Sequence, residues 1–555
     1  IPSLNLNGVM GIAHTRWATH GEPSDVNSHP HWDCKKDIYI VHNGIIENYP
    51  QLKEQLKKQG HKITTKTDTE ILAHLIEKYY EGKNIKLEQA VQKALHEVKG
   101  TYGIAVISSD EPNKIVAARM GSPLVLGIMA EGEYLVASDV TPILKHTRQV
   151  IYLEDGELAT VTSEGFEVVT LDNRKVDKKT EEVDWEIEQA EKKGYPHFML
   201  KEIMEQPEVV VDATRGRLMA QEGLAHLGGL IEKEDQLKKI KSITIVACGT
   251  AYYAGMVGEY MIEEYAGIPV DVEFASEFRY KKPVINESTA VIVITQSGET
   301  ADTLAALREA KRKGALILGI VNVVGSTIAR EVDVGAYSHA GPEIGVASTK
   351  AFMSQIAILT LITIFLGRQR GMSVVMGQRI AEELQAIPEK IKKILKQEKE
   401  IKKIAKKYSK YNDFFYLGRK YNFPIAMEGA LKLKEISYIH AEGYGAGEMK
   451  HGPIALIDEN FPSVVIAPKD SVYEKVVSNI EEIKARKGKV LAIATEGDEN
   501  LKKLVDNVIY IPKTLEMLSP MLTVVPLQLL AYHIAVILKR NVDQPRNLAK
   551  SVTVE

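Results

Sequence analysis

The chain has 555 residues, which is enough for roughly three or four domains of ordinary size. Apolar residues make up 45% and charged residues 26%, as in a soluble globular protein, and the net charge of −4 gives no basic field that would attract nucleic acid. The two cysteines, Cys34 and Cys248, exclude a disulfide framework and indicate a reducing cytoplasm. No CxxC pair or His-rich cluster predicts a metal.

The most apolar stretch runs from Leu522 to Leu538 and contains Pro526, Gln528 and His533. It is short for a membrane span, so we expect a buried core helix there and no membrane partner. No signal peptide opens the chain. Ile1 is expected to fall inside a domain whose first part is missing.

Short strands separated by Gly and polar turns fill residues 1–172. Helical patterns at 49–59 and 68–80 interrupt the strands, which predicts an α+β domain with stacked sheets. Strongly charged residues follow, and they indicate a linker or a solvated helix. We place this linker at 173–225.

Two polar clusters in the first domain, HTRWATHG and HNGIIEN, each follow a strand. Asn43 and Gly44 fit either a hairpin turn or an oxyanion hole built from the Asn amide and the Gly N–H. Arg16 is either a surface cation or a bidentate clamp for a carboxylate. Asp68 either caps the helix that follows it or binds the ammonium group of an amino acid.

An internal duplication marks the second part of the chain. Strand ITIVACG is matched by FFYLG, AVIVIT by SVVIAP and LILGIV by VLAIAT, each time about 170 residues later. This spacing predicts two copies of one doubly wound α/β domain with a parallel sheet, at 226–372 and 401–540. A helical connector at 373–400 joins the copies, and a tail, 541–555, follows them.

The loop TQSGET, residues 295–300, follows a strand of the first copy and opens a helix. Free backbone N–H groups and the helix dipole favour a phosphate at such a place. The alternative is an ordinary N-cap, in which Ser297 or Thr300 caps the helix without a ligand. The second copy has Lys469-Asp470-Ser471 at the matching place, so one phosphate site per chain is expected.

The second copy contains candidates for acid–base chemistry. Spacings of three and four put Glu428, Lys432 and Glu435 on one face of a predicted helix, which is otherwise too apolar to be wholly exposed. An exposed salt-bridged stripe is the alternative. His451 lies in a Gly-rich loop, a favourable setting for a general acid or base. Lys550 is an ordinary tail lysine unless the tail folds into the site.

The motifs HTRWATHG, HNGIIEN and TDTE, in this order, resemble the glutaminase domain of the N-terminal-nucleophile amidotransferases. With ACGTAYYAG, TQSGETADT, EIGVASTKAF, EGALKLKEISYIHAE, KHGP and NLAKSVTVE, nearly the whole chain is similar to the glucosamine-6-phosphate synthase family. Its two copies resemble sugar isomerase (SIS) domains, which bind ligands at strand carboxyl ends. The resemblance implies formation of D-glucosamine 6-phosphate and glutamate from D-fructose 6-phosphate and L-glutamine, the first step of hexosamine synthesis, without a cofactor.

In the glutaminase domain, the resemblance places the glutamine carboxylate on Arg16, its ammonium on Asp68 and the oxyanion on Asn43 and Gly44. The expected glutamine-site residues are Arg16, Trp17, Thr19, His20, Asn43, Gly44 and Asp68. Trp17 gates an internal ammonia channel in this interpretation. The family nucleophile is a cysteine at the mature N-terminus, whereas residue 1 here is Ile.

In the isomerase half, the resemblance gives Lys550 a Schiff base with the ketone and Glu435 the proton transfer between C2 and C1. Lys432 steadies the developing charge, and His451 opens the ring from the partner subunit of a homodimer with shared sites. The expected sugar-phosphate residues are Thr250, Thr295, Gln296, Ser297, Thr300, Val346 and Ser348. Ketose–aldose isomerisation does require a carboxylate near C1 and C2, a cation and a phosphate anchor.

Two other functions fit parts of this pattern. An amidotransferase with another sugar-phosphate acceptor would use the same glutaminase domain. A non-catalytic sugar-phosphate sensor would need the TQSGET loop but not Glu435, His451 or Lys550. The sequence shows no DNA-binding segment.

Overall fold

The computed structural model describes residues 8–15, 21–80, 85–140, 142–183 and 192–553. The chain folds into two compact units. Unit 1 comprises Ile1–Ile187, Glu299–Ala301 and Ser551–Glu555. Unit 2 comprises Glu188–Gly298 and Asp302–Lys550.

Unit 1 combines antiparallel sheets with helices. Its described strands are β1 (His31–Trp32), β2 (Ile38–Ile46), β3 (Gly100–Ser108), β4 (Lys114–Met120), β5 (Val125–Ile128), β6 (Tyr134–Ala137), β7 (Gln149–Tyr152), β8 (Glu157–Thr162), β9 (Gly165–Thr170) and β10 (Glu181–Glu182). Its described helices are α1 (Tyr49–Lys58), α2 (Asp68–Tyr80) and α3 (Leu87–Glu97). One sheet has the strand order β1-β2-β3-β4-β8-β9, and the other has the order β10-β7-β5-β6.

The larger sheet of unit 1 has an apolar core on each face, because successive side chains of a strand point to opposite sides. One core joins the sheet to the helices and includes Ile104 and Leu72. The other joins it to the smaller sheet and includes Val161 and Ile151. The predicted α+β domain with stacked sheets and the two predicted helices are confirmed.

Unit 2 alternates strands and helices. Its elements before the first parallel sheet are α4 (Phe198–Met204), α5 (Gln206–Thr214), β11 (Leu218–Met219), β12 (Leu224–Ala225), α6 (Gly228–Ile231) and α7 (Glu234–Leu237). The first α/β part contains β13 (Ser242–Ala247), α8 (Thr250–Ala266), β14 (Val270–Phe274), α9 (Ala275–Phe278), β15 (Thr289–Thr295), α10 (Ala301–Arg312), β16 (Leu316–Val321), α11 (Thr327–Glu331), β17 (Val334–Tyr337) and α12 (Lys350–Gln369). The stretch predicted as a linker therefore carries α4 and α5, whose side chains enter the core.

The connector and the second α/β part complete unit 2. They contain α13 (Val374–Leu395), α14 (Glu398–Tyr408), β18 (Asp413–Gly418), α15 (Asn422–Ser437), β19 (His440–Gly445), β20 (Ser463–Ala467), α16 (Tyr473–Lys484), β21 (Val490–Thr495), α17 (Glu499–Leu504), β22 (Asn507–Ile511) and α18 (Ser519–Ile537). The two parallel sheets have the orders β14-β13-β15-β16-β17 and β19-β18-β20-β21-β22. Because these orders are the same, the internal duplication is confirmed.

Two long apolar helices lie in the interior of unit 2. The segments Lys350–Gln369 and Glu516–Ile537 have the length and hydropathy of a membrane span among the described residues. Their most apolar windows are 100% and 89% buried inside the fold, as in core helices of soluble proteins. The core helix predicted for the apolar run near the end of the chain is confirmed.

Candidate active site

Two helices begin within a few residues of the carboxyl ends of parallel strands of the first sheet, and a third begins after a longer loop. Helix α8 begins at Thr250 after β13, α10 begins at Ala301 after β15, and α12 begins at Lys350 after the loop that leaves β17. The first N–H groups of a helix lack partners within the helix and favour anions. This edge of the sheet therefore holds most of the predicted sugar-phosphate residues.

The loop between β15 and α10 is held in a compact turn. Thr295 Oγ1 accepts a hydrogen bond from the Gly298 N–H at 3.1 Å. Gly298 has φ +71°, and a Cβ there would lie 1.9 Å from Ser326 Oγ, so only glycine fits. Ser297 is buried, and Gln296 and Thr300 are half-buried. The fixed turn keeps these side chains at the entrance to α10.

A buried charged cluster joins α15 to the start of α8. Lys432 Nζ lies 2.6 Å from Glu435 Oε2 and 3.5 Å from Glu428 Oε1. It also donates a hydrogen bond to Thr250 Oγ1 at 3.0 Å. Lys432 and Glu428 are fully buried, whereas the Glu435 side chain is 21% exposed. The stripe is therefore internal, and Glu435 is the carboxylate of this cluster that remains accessible.

One ammonium in this cluster faces two carboxylates. Burial lowers the pKa of Lys432, but the charges of Glu428 and Glu435 outweigh burial and raise that pKa above its ordinary value. Burial raises the pKa of Glu428 to about 8, although Lys432 opposes this rise. Glu428 Oε2 is buried without a hydrogen-bond partner among the described residues. Glu428 is thus held close to neutrality, while Lys432 remains charged.

The tail brings Lys550 to the loop before α12. Lys550 Nζ lies 2.6 Å from Glu343 Oε2 and donates a hydrogen bond to the Gly345 carbonyl at 2.8 Å. Burial alone would raise the pKa of Glu343, but Lys550 and backbone donors outweigh burial and hold that pKa below its ordinary value. The charge of Glu343 also contributes to the raised pKa of Lys432. Lys550 is therefore a folded residue with a defined partner rather than part of a frayed tail.

Further contacts hold the tail in place. The Asp543 carboxylate accepts hydrogen bonds from the N–H groups of Phe198 and Met199 at the start of α4. The Asp543 carbonyl accepts a hydrogen bond from the Val346 N–H at 3.0 Å. The Tyr438 hydroxyl accepts a hydrogen bond from the Arg546 N–H. Val346 and Ser348, both predicted sugar-site residues, therefore lie in the loop onto which the tail folds.

Two carboxylates near Lys550 were not among the predicted site residues. Glu343 Oε1 accepts hydrogen bonds from the N–H groups of Thr349 and Ala351. Glu202, on α4, accepts hydrogen bonds at its Oε1 atom from the N–H groups of Ile344 and Gly345 in the same loop. Burial, reinforced by the charge of Glu343, raises the pKa of Glu202 to about 7. Glu343 stands inside the EIGVASTKAF motif, but Glu202 is too distant in sequence to be found by spacing.

His451 is exposed at the end of the short 3₁₀ helix Glu448–His451. No hydrogen bond or ion pair joins it to Lys432 or Lys550 among the residues that the structure describes. Within one chain, Thr250, Glu435 and Lys432 therefore form a contact cluster, and His451 is not part of it. Its role stays a prediction.

In unit 1, Asn43 and Gly44 lie within β2, opposite Gly103 and Tyr102 of β3. A strand position excludes the hairpin turn that the Asn-Gly pair also allowed. A Cβ on Gly44 would lie 2.1 Å from the Thr101 carbonyl oxygen, so the close approach of the two strands requires glycine. The Asn43 amide donates a hydrogen bond to Thr553 Oγ1 at 3.1 Å.

Asp68 is buried at the first position of α2. Its Oδ2 atom accepts a hydrogen bond from the Ile46 N–H at 2.9 Å, which ties α2 to the end of β2. The predicted oxyanion and ammonium residues therefore belong to two elements that are joined directly. The remaining predicted glutamine-site residues lie outside the described residues: Arg16, Trp17, Thr19 and His20.

Comparisons with known proteins agree with this architecture. A family model of the glutamine amidotransferase domain matches residues 4–182, and a model of the SIS domain matches residues 236–365 and 407–538. The glutamine–fructose-6-phosphate aminotransferase (isomerizing) of Chlorobaculum tepidum is 55% identical over 554 residues, covering 100% of this chain and 90% of the relative. A Thermus thermophilus protein of the same name is 51% identical over 551 residues, with 99% and 90% coverage.

Among solved structures, the C-terminal domain of glucosamine-fructose-6-phosphate aminotransferase from Francisella tularensis has a TM-score of 0.61 and 41% sequence identity. The match covers 64% of this chain and 100% of that structure. The glutaminase fold followed by two SIS domains is therefore confirmed. The chain belongs to the family of isomerizing glutamine–fructose-6-phosphate aminotransferases.

Proposed function

We propose that this protein converts D-fructose 6-phosphate and L-glutamine into D-glucosamine 6-phosphate and L-glutamate, the first step of hexosamine synthesis. Relatives named for this activity are about half identical to this chain along about nine tenths of their length. The structural observation that carries the proposal is the Lys432–Glu435 pair, which contacts Thr250 at the ligand-binding edge of an SIS sheet.

The sugar phosphate is proposed to bind at the strand ends of the first SIS sheet. The phosphate lies at the start of α10, where Thr295, Gln296, Ser297 and Thr300 supply polar groups and the helix supplies N–H donors. Thr250, Val346 and Ser348 line the rest of the sugar pocket. With its phosphate bound there, the sugar is proposed to direct its carbonyl end toward the charged cluster.

Lys550 is proposed to form the Schiff base. Its amine attacks the C2 ketone, the resulting carbinolamine loses water, and a C=N bond replaces the C=O bond. An amine attacks only when it is neutral, so the Lys550 ammonium must first transfer its proton, and the Glu343 carboxylate 2.6 Å away is the proposed acceptor. The Gly345 carbonyl, which also accepts from Lys550, orients the amine until then.

Glu435 is proposed to move the proton between C1 and C2. Its partly exposed carboxylate can reach a ligand, whereas the buried Lys432 stays behind it as a fixed positive charge. A preorganised cation stabilises the negative charge that develops on the enolate-like intermediate. His451, supplied by the partner subunit of a homodimer, is proposed to open the sugar ring.

The glutaminase half is proposed to release ammonia from glutamine. Asn43 and Gly44 stabilise the oxyanion, Asp68 binds the ammonium group, and Arg16 binds the carboxylate. Trp17, Thr19 and His20 complete that site. We further propose that the enzyme is cytoplasmic and that its domains have the bounds inferred from the sequence.

The experiment that tests this function measures glucosamine 6-phosphate formed by the full-length protein from fructose 6-phosphate and glutamine. Glu435→Gln should lower kcat by about 10²-fold or more, the usual contribution of general acid–base catalysis. The exposed Glu499 provides a matched control, because Glu499→Gln should leave kcat unchanged. A protein that binds fructose 6-phosphate without turnover would instead be a sensor. Transfer of ammonia only to another acceptor would identify a different amidotransferase.

A further inference from the structure

Four side chains that the proposed reaction does not use converge on one point of unit 1. Cys34 lies in the loop between β1 and β2, His61 in the loop between α1 and α2, and both His74 and Glu77 on α2. One potential ligand atom from each lies within 4.8 Å of every other. His74 and Glu77 are buried, His61 is 11% exposed, and Cys34 opens to the surface.

The distances between these atoms fit four-coordinate metal geometry. Cys34 Sγ lies 3.8 Å from His61 Nδ1 and 3.6 Å from His74 Nδ1. Zn–S bonds of about 2.3 Å and Zn–N bonds of about 2.1 Å at tetrahedral angles place sulfur and nitrogen about 3.6 Å apart. The two S···N distances therefore already have the spacing of a tetrahedral site.

The carboxylate edge of the cluster is shorter. Glu77 Oε2 lies 2.7 Å from His61 Nδ1 and 3.0 Å from His74 Nδ1, which are hydrogen-bond distances. A tetrahedral Zn²⁺ site would place oxygen and nitrogen about 3.4 Å apart, so the two O···N distances must lengthen by about 0.4 and about 0.7 Å when a metal replaces these protons.

Two groups next to the cluster, the Lys62 N–H and the Glu70 carboxylate, bear on metal binding. The Lys62 N–H points to Cys34 Sγ at 3.5 Å, an arrangement that stabilises a thiolate. His74 Nε2, the ring nitrogen that faces away from the cluster, lies 3.8 Å from Glu70 Oε1. Glu70 is in turn fixed by hydrogen bonds from Thr64 and Thr65. A carboxylate hydrogen-bonded to a ligating histidine is the usual second partner in zinc sites, and Glu70 would have to move closer than 3.8 Å to take that part.

We propose that Cys34, His61, His74 and Glu77 form a closed structural site for Zn²⁺. Thiolate, imidazole and carboxylate ligands in a four-coordinate set favour Zn²⁺ over Mg²⁺ or Ca²⁺, which prefer oxygen ligands. With four protein ligands, the site leaves no open position for chemistry. No compact spacing motif reveals it, because Cys34 is 27 residues from His61 and 40 from His74.

The position of the site gives it a structural purpose. It ties two loops to α2, whose first residue is Asp68. The metal would thus fix the helix that carries the proposed ammonium-binding carboxylate. This inference does not depend on the proposed reaction, and its test does not use enzymatic activity.

The test uses the full-length protein, stripped with a chelator and titrated with Zn²⁺ against a chromophoric competitor, and separately loaded with Co²⁺. We expect one Zn²⁺ per chain. Co²⁺ should give the visible bands of tetrahedral coordination and a near-ultraviolet thiolate-to-metal band. Cys34→Ser should abolish the thiolate band and weaken Zn²⁺ binding by at least about 10-fold, a loss that even outer partners of a metal can cause.

Two further variants keep the test decisive. Cys248→Ser is the matched control, because Cys248 belongs to unit 2 and is not one of the four proposed ligands, and this variant should bind both metals like the unmodified protein. Glu77→Gln keeps a hydrogen-bonding side chain and should weaken Zn²⁺ binding while the protein stays folded by circular dichroism. Absence of stoichiometric Zn²⁺ and of tetrahedral Co²⁺ bands, or bands that persist in Cys34→Ser, would show a hydrogen-bonded cluster only and overturn the proposal.

Discussion

Lys432 is completely enclosed, yet it keeps three oxygen partners on Glu435, Thr250 and Glu428. Removing a buried ion from water costs free energy that only close partners offset. Because the shorter contact is to Glu435, the more distant Glu428 receives less compensation for its own burial. The two carboxyl groups on the same helix face therefore differ: Glu435 is the close partner of Lys432, whereas Glu428 is held close to neutrality.

This division predicts a pH dependence of stability. The pKa of Glu428 rises from 4.5 in an unfolded chain to about 8 in the fold, so the fold favours its neutral form. Its stabilising contribution is complete below pH 4.5 and is lost as the pH rises through about 8. Glu428→Gln stays neutral, so its Tm should fall less than that of the unmodified protein between about pH 5 and about pH 8.

The measurement is a thermal unfolding series over this pH range. The exposed Glu459 supplies the control, and Glu459→Gln should follow the unmodified protein. An equal loss of Tm in Glu428→Gln and the unmodified protein would contradict the assignment of a neutral Glu428.

Lys550 gives a second prediction at this scale. Borohydride added with fructose 6-phosphate should fix a hexose phosphate onto Lys550, because reduction converts the C=N bond into a stable amine. Lys550→Arg keeps the positive charge facing Glu343 but cannot form the Schiff base, so it should lose trapping and synthesis. Peptide mass spectrometry locates the label.

The exposed Lys539 is the matched control for this trapping, and Lys539→Arg should be labelled normally. A label on Lys432, or full activity of Lys550→Arg, would show that Lys550 is an ordinary tail lysine and does not form the Schiff base.

At the scale of elements, the start of α10 is where phosphate binding and ordinary capping compete. If the hydroxyls serve the ligand, Ser297→Ala and Thr300→Ala should each weaken fructose 6-phosphate binding by about 1.5–3 kcal/mol, as hydrogen bonds to charged groups do. Calorimetric titration gives this value. Stability should change little, because in this case the hydroxyls bind the ligand rather than cap the helix.

A true cap elsewhere in unit 2 provides the comparison. Ser373 Oγ accepts a hydrogen bond from the Met376 N–H at 3.1 Å at the start of α13. Ser373→Ala should lower stability by about 1 kcal/mol with unchanged sugar-phosphate affinity. If Ser297→Ala behaves in this same way, the loop is a cap and not a phosphate site.

At the scale of the whole molecule, the proposed homodimer predicts complementation between two inactive variants. His451→Ala and Lys550→Arg affect residues that come from different subunits of one site in this proposal. A heterodimer of the two variants then contains one intact site. Random equal mixing should restore about a quarter of the unmodified activity, since half of the dimers are mixed and each has one working site of two.

The matched pair for this experiment is Glu435→Gln with Lys550→Arg, two residues proposed to act in the same subunit. Every site in those mixed dimers lacks one of the two, so activity should stay absent. Equal recovery in both mixtures, or none in either, would refute sites shared between subunits. Subunits should be mixed by co-expression, and activity measured per purified dimer.

Local patterns along the chain were sufficient to predict the class of each unit and the two parallel sheets. Apolar runs such as β15 and the repeated strand order follow from local periodicity, which a chain shows without its tertiary structure. Spacing also identified α15 as a helix with Glu428, Lys432 and Glu435 on one face. These features depend on residues a few positions apart, where spacing is informative.

Contacts between distant segments became known only from the folded chain. The fold placed Asn43 in a strand rather than a turn, paired Lys550 with Glu343, and brought Cys34 to His74. Such contacts depend on how elements pack, because no local propensity encodes a partner tens or hundreds of residues away. A buried charged group or a cluster of metal-ligating residues can therefore be identified only in the folded structure.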